Sequence, residues 1–346
     1  MDVKTIGYPI TKEEIDNDIG LIVFANKNRE LLSSSPRLSF FRVYALIIIK
    51  TITNEYLIIH GTNSEADYIG SSICAERSAL VKLRYFDNPK IIKVIVVTDL
   101  TMPVSPGMLC REYLMSVCDS ESVIVMGGSN ASDENDIKKC KMKDLWPFPY
   151  LYRSCDRSNI IEYAQSFVLK SDINLESLRF ANDSNRVNNN KLEKLLRIAC
   201  SYTKYDAADT LHPIKLASAV LYDDDSIDVT WMLKGLEYGC TLDPVSQMVS
   251  KMMQNRICGE CKLNVSSDLN NNIFKFIKSP IMLVNVDQYG VAHSPHAQAR
   301  ALLTEHGFGQ LEVMIHNENG QIEIVLVSSL VPNPEGVNIL SNESFH

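Results

Sequence analysis

Short apolar runs rich in β-branched residues alternate along the chain with segments of helical periodicity. In the first half these runs predict four strands, at 42–51, 55–59, 91–98 and 122–126. Apolar residues recur at helical spacing in 75–83 and in 110–118, which predicts two helices between these strands. Strands that alternate with helices in this way indicate an α/β layer fold with a partly parallel sheet.

The second half begins after a polar stretch at 182–190 that is rich in Asn, Asp and Ser. A helix is predicted at 191–202, and further apolar runs predict strands at 214–222, 227–232, 281–286 and 322–327. The sequence therefore predicts a first domain over 1–154, a linker over 155–189 and a second domain over 190–346.

Landmarks of the first half recur in the second half. The segment 70–75 aligns with 239–244 at an offset of 169 (239 − 70), and both segments run on into a predicted helix. Arg111 aligns with Arg300 at an offset of 189 (300 − 111), so the second copy carries about 20 more residues between its two helices. Two tandem copies of one fold are expected.

Composition narrows the classes of function. The 346 residues are 45% hydrophobic, which provides for two packed cores, and the net charge of −8 argues against a mainly electrostatic grip on nucleic acid. The longest apolar runs, of about seven residues, fall short of the roughly 18 that span a bilayer. Nine dispersed cysteines and an N-terminus without signal-peptide character predict the cytoplasm, with the nucleus as an alternative.

Two cysteines stand at the starts of successive predicted helices. The helix dipole and the free N–H groups there lower the pKa of a thiol, so Cys74 and Cys110 are candidate metal ligands. Glu76 can stand over the open side of such a metal and move protons. Taken singly, each cysteine would be a small buried residue. The set of three indicates a hydrolase that uses zinc-activated water.

Residues 36–150 resemble nucleoside cytidine deaminases, whose site pairs a C-A-E or H-A-E segment with P-C-x-x-C. The matching segments are Asn63-Ser64-Glu65, Cys74-Ala75-Glu76-Arg77-Ser78-Ala79, Cys110-Arg111-Glu112 and Leu145-Trp146-Pro147. The resemblance implies an α/β fold of two tandem three-layer α/β/α domains with mixed sheets. It further implies a homodimer and a small pyrimidine nucleoside as partner, with nucleic acid and membranes unfavoured.

The resemblance assigns catalytic and metal-binding roles. Glu76 would protonate N3 of cytosine and pass protons to the departing ammonia. Cys74 and Cys110 would hold one zinc ion per chain at most, in the first domain, and Arg77 would offset the charge of the thiolates.

Four further residues would contact the nucleoside by the same resemblance. Asn63 and Glu65 would hold a ribose hydroxyl, because an amide and a carboxylate can together donate to and accept from it. Phe41 would line the base pocket, and the backbone of Ala75 would fix the pyrimidine edge.

One ligand of the family motif is missing, because Gly107 stands where the first cysteine of P-C-x-x-C is expected. Catalytic zinc normally has three protein ligands, and two remain here. Two hypotheses stay open. The first is zinc-dependent deamination of cytidine or deoxycytidine to the uracil nucleoside, and the alternative is a catalytically inactive structural or regulatory subunit.

The second copy lacks the reactive residues. The positions of Cys74, Glu76 and Cys110 are taken by Asp243, Val245 and Ala299, in that order. This domain is therefore predicted to be a degenerate, non-catalytic sibling. The segment from Cys258 to Cys261 resembles half of a zinc knuckle, and without a second pair at usable spacing metal binding there is the less favoured interpretation.

Overall fold

A computed structural model describes residues 6–67, 69–171, 179–180, 188–255 and 278–334. These residues form two compact units, one up to Pro147 together with 331–334, the other from Phe148 to Leu330. Among the described helices, none combines the length and the apolar character that crossing a membrane requires. Cys258 and Cys261 lie outside the described residues.

The first unit is built on one mixed sheet with strand order β1-β3-β2-β4-β5-β6. Its strands are β1 Tyr8–Pro9, β2 Val43–Lys50, β3 Tyr56–Thr62, β4 Lys90–Thr98, β5 Val123–Gly127 and β6 Ile137–Lys141. Its helices are α1 Lys12–Asp16, α2 Asp18–Leu32, α3 Ala75–Leu80, α4 Met108–Val117 and α5 Met142–Leu145. Only the β4–β5 pair is parallel, and the other named pairs are antiparallel.

Helices cover both faces of this sheet, which explains why β2 is an almost unbroken apolar run. Leu46 and Ile48 of β2 pack in one core with Leu21 and Ile22 of α2. The alternate residues of β2 point to the opposite face, where α3 packs on β2 and β3. The first unit therefore has the predicted α/β/α layers.

The second unit repeats this topology. Its strands are β7 Arg179–Phe180, β8 Leu216–Tyr222, β9 Ile227–Trp231, β10 Pro280–Asp287, β11 Glu312–His316 and β12 Ile322–Leu326. Its helices are α6 Ile160–Lys170, α7 Asn189–Tyr202, α8 Pro244–Gln254 and α9 Ala297–Glu305. The order β9-β8-β10-β11-β12 matches β3-β2-β4-β5-β6, and β10 and β11 are again the parallel pair within it. The prediction of two tandem copies of a mixed α/β fold is confirmed.

The range 155–189, predicted as a linker, instead contains a helix of the second unit. Ile160, Ala164 and Phe167 of α6 are buried and form a core with Leu216 and Val291, among others. Their spacing of four and three residues places them on one helical face, which drives α6 onto the unit. The polar composition farther along, at 182–187, falls outside the described residues.

Candidate active site in the first unit

The site begins where α3 and α4 begin. Cys74 is the N-cap residue of α3, and Gly107 is the N-cap residue of α4. Gly61 of β3 brings α3 close to the sheet, since a Cβ atom at this position would lie 2.4 Å from the Ala75 carbonyl oxygen. A glycine is therefore required there, and it fixes the depth at which the first turn of α3 lies.

Three predicted site residues come together at these helix starts. The two cysteine Sγ atoms and a carboxylate oxygen of Glu76 all lie within 4.8 Å of one another. Cys110 is fully buried and Glu76 is 3% exposed. Within the described ranges, this is the one group of three or more His, Cys, Asp or Glu side chains that could hold a metal. Two thiolates and a carboxylate are a donor set that suits zinc.

Electrostatics in the group favour a thiolate at Cys74 and a carboxyl at Glu76 that is protonated more readily than usual. The hydrogen bond from Cys110 lowers the pKa of Cys74 to about 6, with a further contribution from Arg77, while the same bond and burial raise the pKa of Cys110. Arg77 Nη2 lies 3.7 Å from Cys74 Sγ, as the predicted charge-offsetting role requires. Burial and the negative charge of Cys74 raise the pKa of Glu76 to about 7.

A cavity of about 230 Å³ opens beside this group, and we call it the first cavity. Cys74 and Glu76 line its base, and Gly107 lines it from the start of α4. The predicted substrate residues Phe41, Asn63 and Glu65 line it as well, together with Ser39, Val43, Ser64, Ser72, Ile73, Val96, Thr98, Val104 and Ser105. Ala75 is fully buried at the start of α3.

Asn63 and Glu65 also hold the cavity wall together. Asn63 Nδ2 donates to the Phe41 carbonyl oxygen (2.7 Å), and its Oδ1 accepts from the Val43 N–H (2.8 Å). Glu65 accepts from the backbone N–H groups of residues 38 and 39 (3.0 and 2.9 Å) and from the Ser39 hydroxyl. Ribose binding by these two residues stays a prediction, and the structure adds a positioning role for the segment that carries Phe41.

Gly107 leaves room at the missing ligand position. A Cβ atom there would meet no described atom within 4 Å, and the backbone φ of −63° is one that any residue adopts. A cysteine at this position would therefore fit without strain.

Arg111 is a further site residue to which the sequence interpretation gave no role. It is 2% exposed, and its guanidinium donates to the Pro106 carbonyl oxygen (2.8 Å) and to Ser105 Oγ (2.7 Å). It also donates to the Leu145 carbonyl oxygen (3.2 Å) and so ties the loop before α4 to the end of α5. The recurrence of Ser-Pro and Arg at an offset of 189 was the signal that pointed to it.

Sequence comparison agrees with this geometry. A stretch of 109 residues, 32% of the chain, is 28% identical to the cytidine deaminase of Halalkalibacterium halodurans and covers 76% of that protein. This stretch of the chain is therefore similar to a known cytidine deaminase. No protein-family model matches the chain.

Solved cytidine deaminases are among the structures similar to this chain. One from Burkholderia pseudomallei is 22% identical, with a TM-score of 0.32, over 41% of this chain and 100% of its own. Another, from Mycobacterium leprae, is 18% identical, with a TM-score of 0.31, over 44% of this chain and 100% of its own.

Proposed function

We propose that the first unit of this cytidine deaminase relative hydrolyses the 4-amino group of cytidine or deoxycytidine in a zinc-dependent reaction. The products are the uracil nucleoside and ammonia. One observation carries the proposal: Cys74, Glu76 and Cys110 converge within 4.8 Å of one another, and Cys74 and Glu76 line the first cavity. The similar protein of Halalkalibacterium halodurans is a cytidine deaminase, which supports cytidine as the substrate.

The roles of the side chains follow from their chemistry. Cys74 and Cys110 would hold the zinc ion, which when bound supplies an activated water as nucleophile. Glu76, with a pKa near neutrality, donates a proton to N3 of the pyrimidine and later delivers one to the departing amine. Arg77 lies beside Cys74 and stabilises its thiolate. Phe41 and Val43 present an apolar wall to the base.

Metal content and ammonia release test this proposal. We expect purified protein supplied with zinc to retain about one ion per chain and to release ammonia from cytidine. Cys110→Ser should lose both, because it removes a thiolate ligand. Cys118→Ser is the matched control, since Cys118 caps the other end of α4 and lies outside the three-residue group. Zinc-loaded wild-type protein that releases no ammonia would contradict the proposal.

Gly107 supports a second candidate function, that of a catalytically inactive structural or regulatory subunit. A Glu76 oxygen lies within 4.8 Å of both Sγ atoms, so the carboxylate can take the third ligand position itself. A glutamate bound in this way no longer moves protons. If the parent binds zinc without turnover and Gly107→Cys gains activity, this second candidate is correct. An active parent excludes it.

We further propose that the protein works as a homodimer in the cytoplasm. The family resemblance supports the dimer, and the dispersed cysteines support a reducing compartment. A mass of about twice 38.9 kDa in solution is expected, and light scattering measures it. A monomer over the working concentration range would contradict the dimer.

A further inference from the structure

The second unit contains a cavity at the place where the first unit has its candidate site. The backbone pairing at the walls matches: Asn63 N–H donates to the Val43 carbonyl oxygen (3.3 Å), and Met232 N–H donates to that of Leu216 (2.9 Å). Met232 and Leu216 line this second cavity as Asn63 and Val43 line the first. Its volume is about 420 Å³, which is large enough for a small organic ligand.

The positions that correspond to the reactive residues carry no reactive groups. The Asp243 carboxylate accepts from the Ser246 N–H (2.8 Å) and caps α8. Val245, at the position of Glu76, is fully buried. Neither residue is among the described side chains that line the second cavity. A ligand in this cavity would be held and not converted.

Positive charge replaces negative charge at the cavity wall. Lys234 stands at the position of Glu65, and its side chain is only 3% exposed. Its Nζ lies 2.9 Å from Asp206 Oδ1 and donates to the His212 carbonyl oxygen (2.7 Å). An ammonium has three N–H groups, so these two contacts leave one for a ligand. The charge of Lys234 is balanced by Asp206.

Arg157 adds a charge that this pair does not cancel. It lines the second cavity from its exposed side, and Nη2 donates to the Thr210 carbonyl oxygen (2.5 Å). A guanidinium has five N–H groups in a planar fork, which suits two-pronged binding of a phosphate.

The rest of the lining is suited to a flat ring. Ile214, Leu216 and Met232 give apolar walls, and the Tyr150 ring stands 5.2 Å from the ring of His296. A planar ligand can pack on such surfaces while its charged end reaches the opening.

We propose that the second unit is a non-catalytic binding site for a pyrimidine nucleoside monophosphate. The ring lies against Tyr150 and Met232, and the phosphate is bound by Arg157 with Lys234 beside it. The choice of a nucleotide among phosphate-bearing ring compounds rests on the proposed function of the first unit, because the two cavities share one fold.

Calorimetric titration of the full chain tests the site with three probes: uridine 5′-monophosphate, uridine and inorganic phosphate. We expect one nucleotide per chain to bind roughly tenfold or more tightly than either uridine or phosphate alone. Arg157→Gln should remove that advantage and leave uridine binding unchanged. Arg153→Gln is the matched control, since Arg153 lies on the same segment and pairs with the exposed Glu318 (2.7 Å) outside the cavity.

A variant that fills the first cavity separates the two sites. Gly107→Phe projects a ring into open space there, and nucleotide binding should persist in this variant. Loss of nucleotide binding in Gly107→Phe, or equal effects of Arg157→Gln and Arg153→Gln, would overturn the proposal. Ammonia release from cytidine is scored separately, so an inactive first unit that still shows Arg157-dependent binding refutes the proposed function alone.

Discussion

The helices that open the two cavities are built differently. α3 has six residues. Its N-cap residue is Cys74, whose side chain makes no capping hydrogen bond in the described part of the chain. α8 has eleven residues. Its N-cap residue is Asp243, whose side chain caps the helix, and Pro244 lies in the first turn. Asp at the N-cap and Pro at the first helical position both stabilise a helix. The second unit therefore has stabilising residues where the first has reactive ones.

The strand beneath each helix differs in the same sense. Gly61 lets α3 approach β3, whereas Thr230 stands at the corresponding position under α8. The Thr230 hydroxyl donates to the Pro244 carbonyl oxygen (2.7 Å), so a side chain bridges strand and helix. In the first unit the helix lies close to the strand, and Cys74 and Glu76 reach the cavity. In the second unit, which lacks these two residues, the Thr230 side chain fills the space between strand and helix.

The arginines of α4 and α9 show what both units retain. Arg300 donates to the carbonyl oxygens of Pro295 (2.7 Å) and Leu330 (2.8 Å) and to Ser294 Oγ (2.7 Å). Arg111 makes the corresponding three contacts in the first unit. The framework of each cavity is therefore common to both copies, and the reactive groups are confined to one.

The largest expected effect concerns activity. Glu76→Gln should lower kcat by about 10²- to 10⁴-fold, because it removes the group that moves protons. Val245→Ala, at the corresponding position of the second unit, should leave kcat within about twofold, since it changes packing only. Steady-state deamination of cytidine measures both. Equal losses in the two variants would remove the functional distinction between the units.

The next largest effect concerns stability. Arg111→Lys and Arg300→Lys should each cost about 2–5 kcal/mol of unfolding free energy, because buried carbonyl oxygens lose their donors. The two tryptophans report on the units separately, with Trp146 in the first and Trp231 in the second. In single-tryptophan proteins, urea unfolding should shift only in the unit that carries the variant. Shifts of both reporters by either variant would show that the units unfold together.

The pH dependence of the second unit is expected to be smaller, on the order of 2 kcal/mol. Burial is the main cause that lowers the pKa of His316 to about 4, and electrostatic repulsion from His293 contributes as well. Between that value and the ordinary 6.5, the unfolded chain binds a proton that the folded chain does not, so stability falls as pH falls. Urea midpoints from Trp231 should drop between pH 7.5 and 5, and His316→Gln should flatten the drop. An unchanged slope in this variant would assign the dependence to other groups.

The smallest effect concerns the helix caps. Asp243→Ala should cost about 1 kcal/mol, the usual value of an N-cap side chain. Cys74→Asp should stabilise metal-free first unit by a similar amount, about 1 kcal/mol, while it abolishes zinc binding. Thermal unfolding with a chelator present measures both. A destabilised Cys74→Asp protein would mean that the cysteine contributes packing as well as chemistry.

The sequence predicted the strands that are continuous apolar runs and missed a helix that buries polar residues. β2 and β4 were predicted because helices on both faces make them continuous apolar runs. α2 was missed because its buried face includes Asn26 and Arg29. Arg29 donates there to Asn26 Oδ1 (2.7 Å) and to the Thr98 carbonyl oxygen, and the second contact joins residues 69 apart, which no local pattern contains.

The candidate site likewise has a part that the sequence predicted and a part that it did not. Cys74, Glu76 and Cys110 come together as their helix-start positions indicated. The contacts of Glu65 with residues 38 and 39 join segments 26 or more residues apart, so spacing alone could not indicate them. The second cavity was missed because its lining residues, from Tyr150 to His296, resemble no motif.

Short backbone pairings recur at corresponding positions of the two units. Ser64 pairs with Ile73 in the lining of the first cavity, and Leu233 pairs with Leu242, 169 residues further on (233 − 64), although both residue types differ. The pairing uses N–H and C=O groups, which every residue other than proline supplies in full. This stretch of backbone beside each cavity is thus held in place whatever side chains it carries. Mutational drift can exchange the ligand that such a cavity accepts without first having to rebuild the cavity.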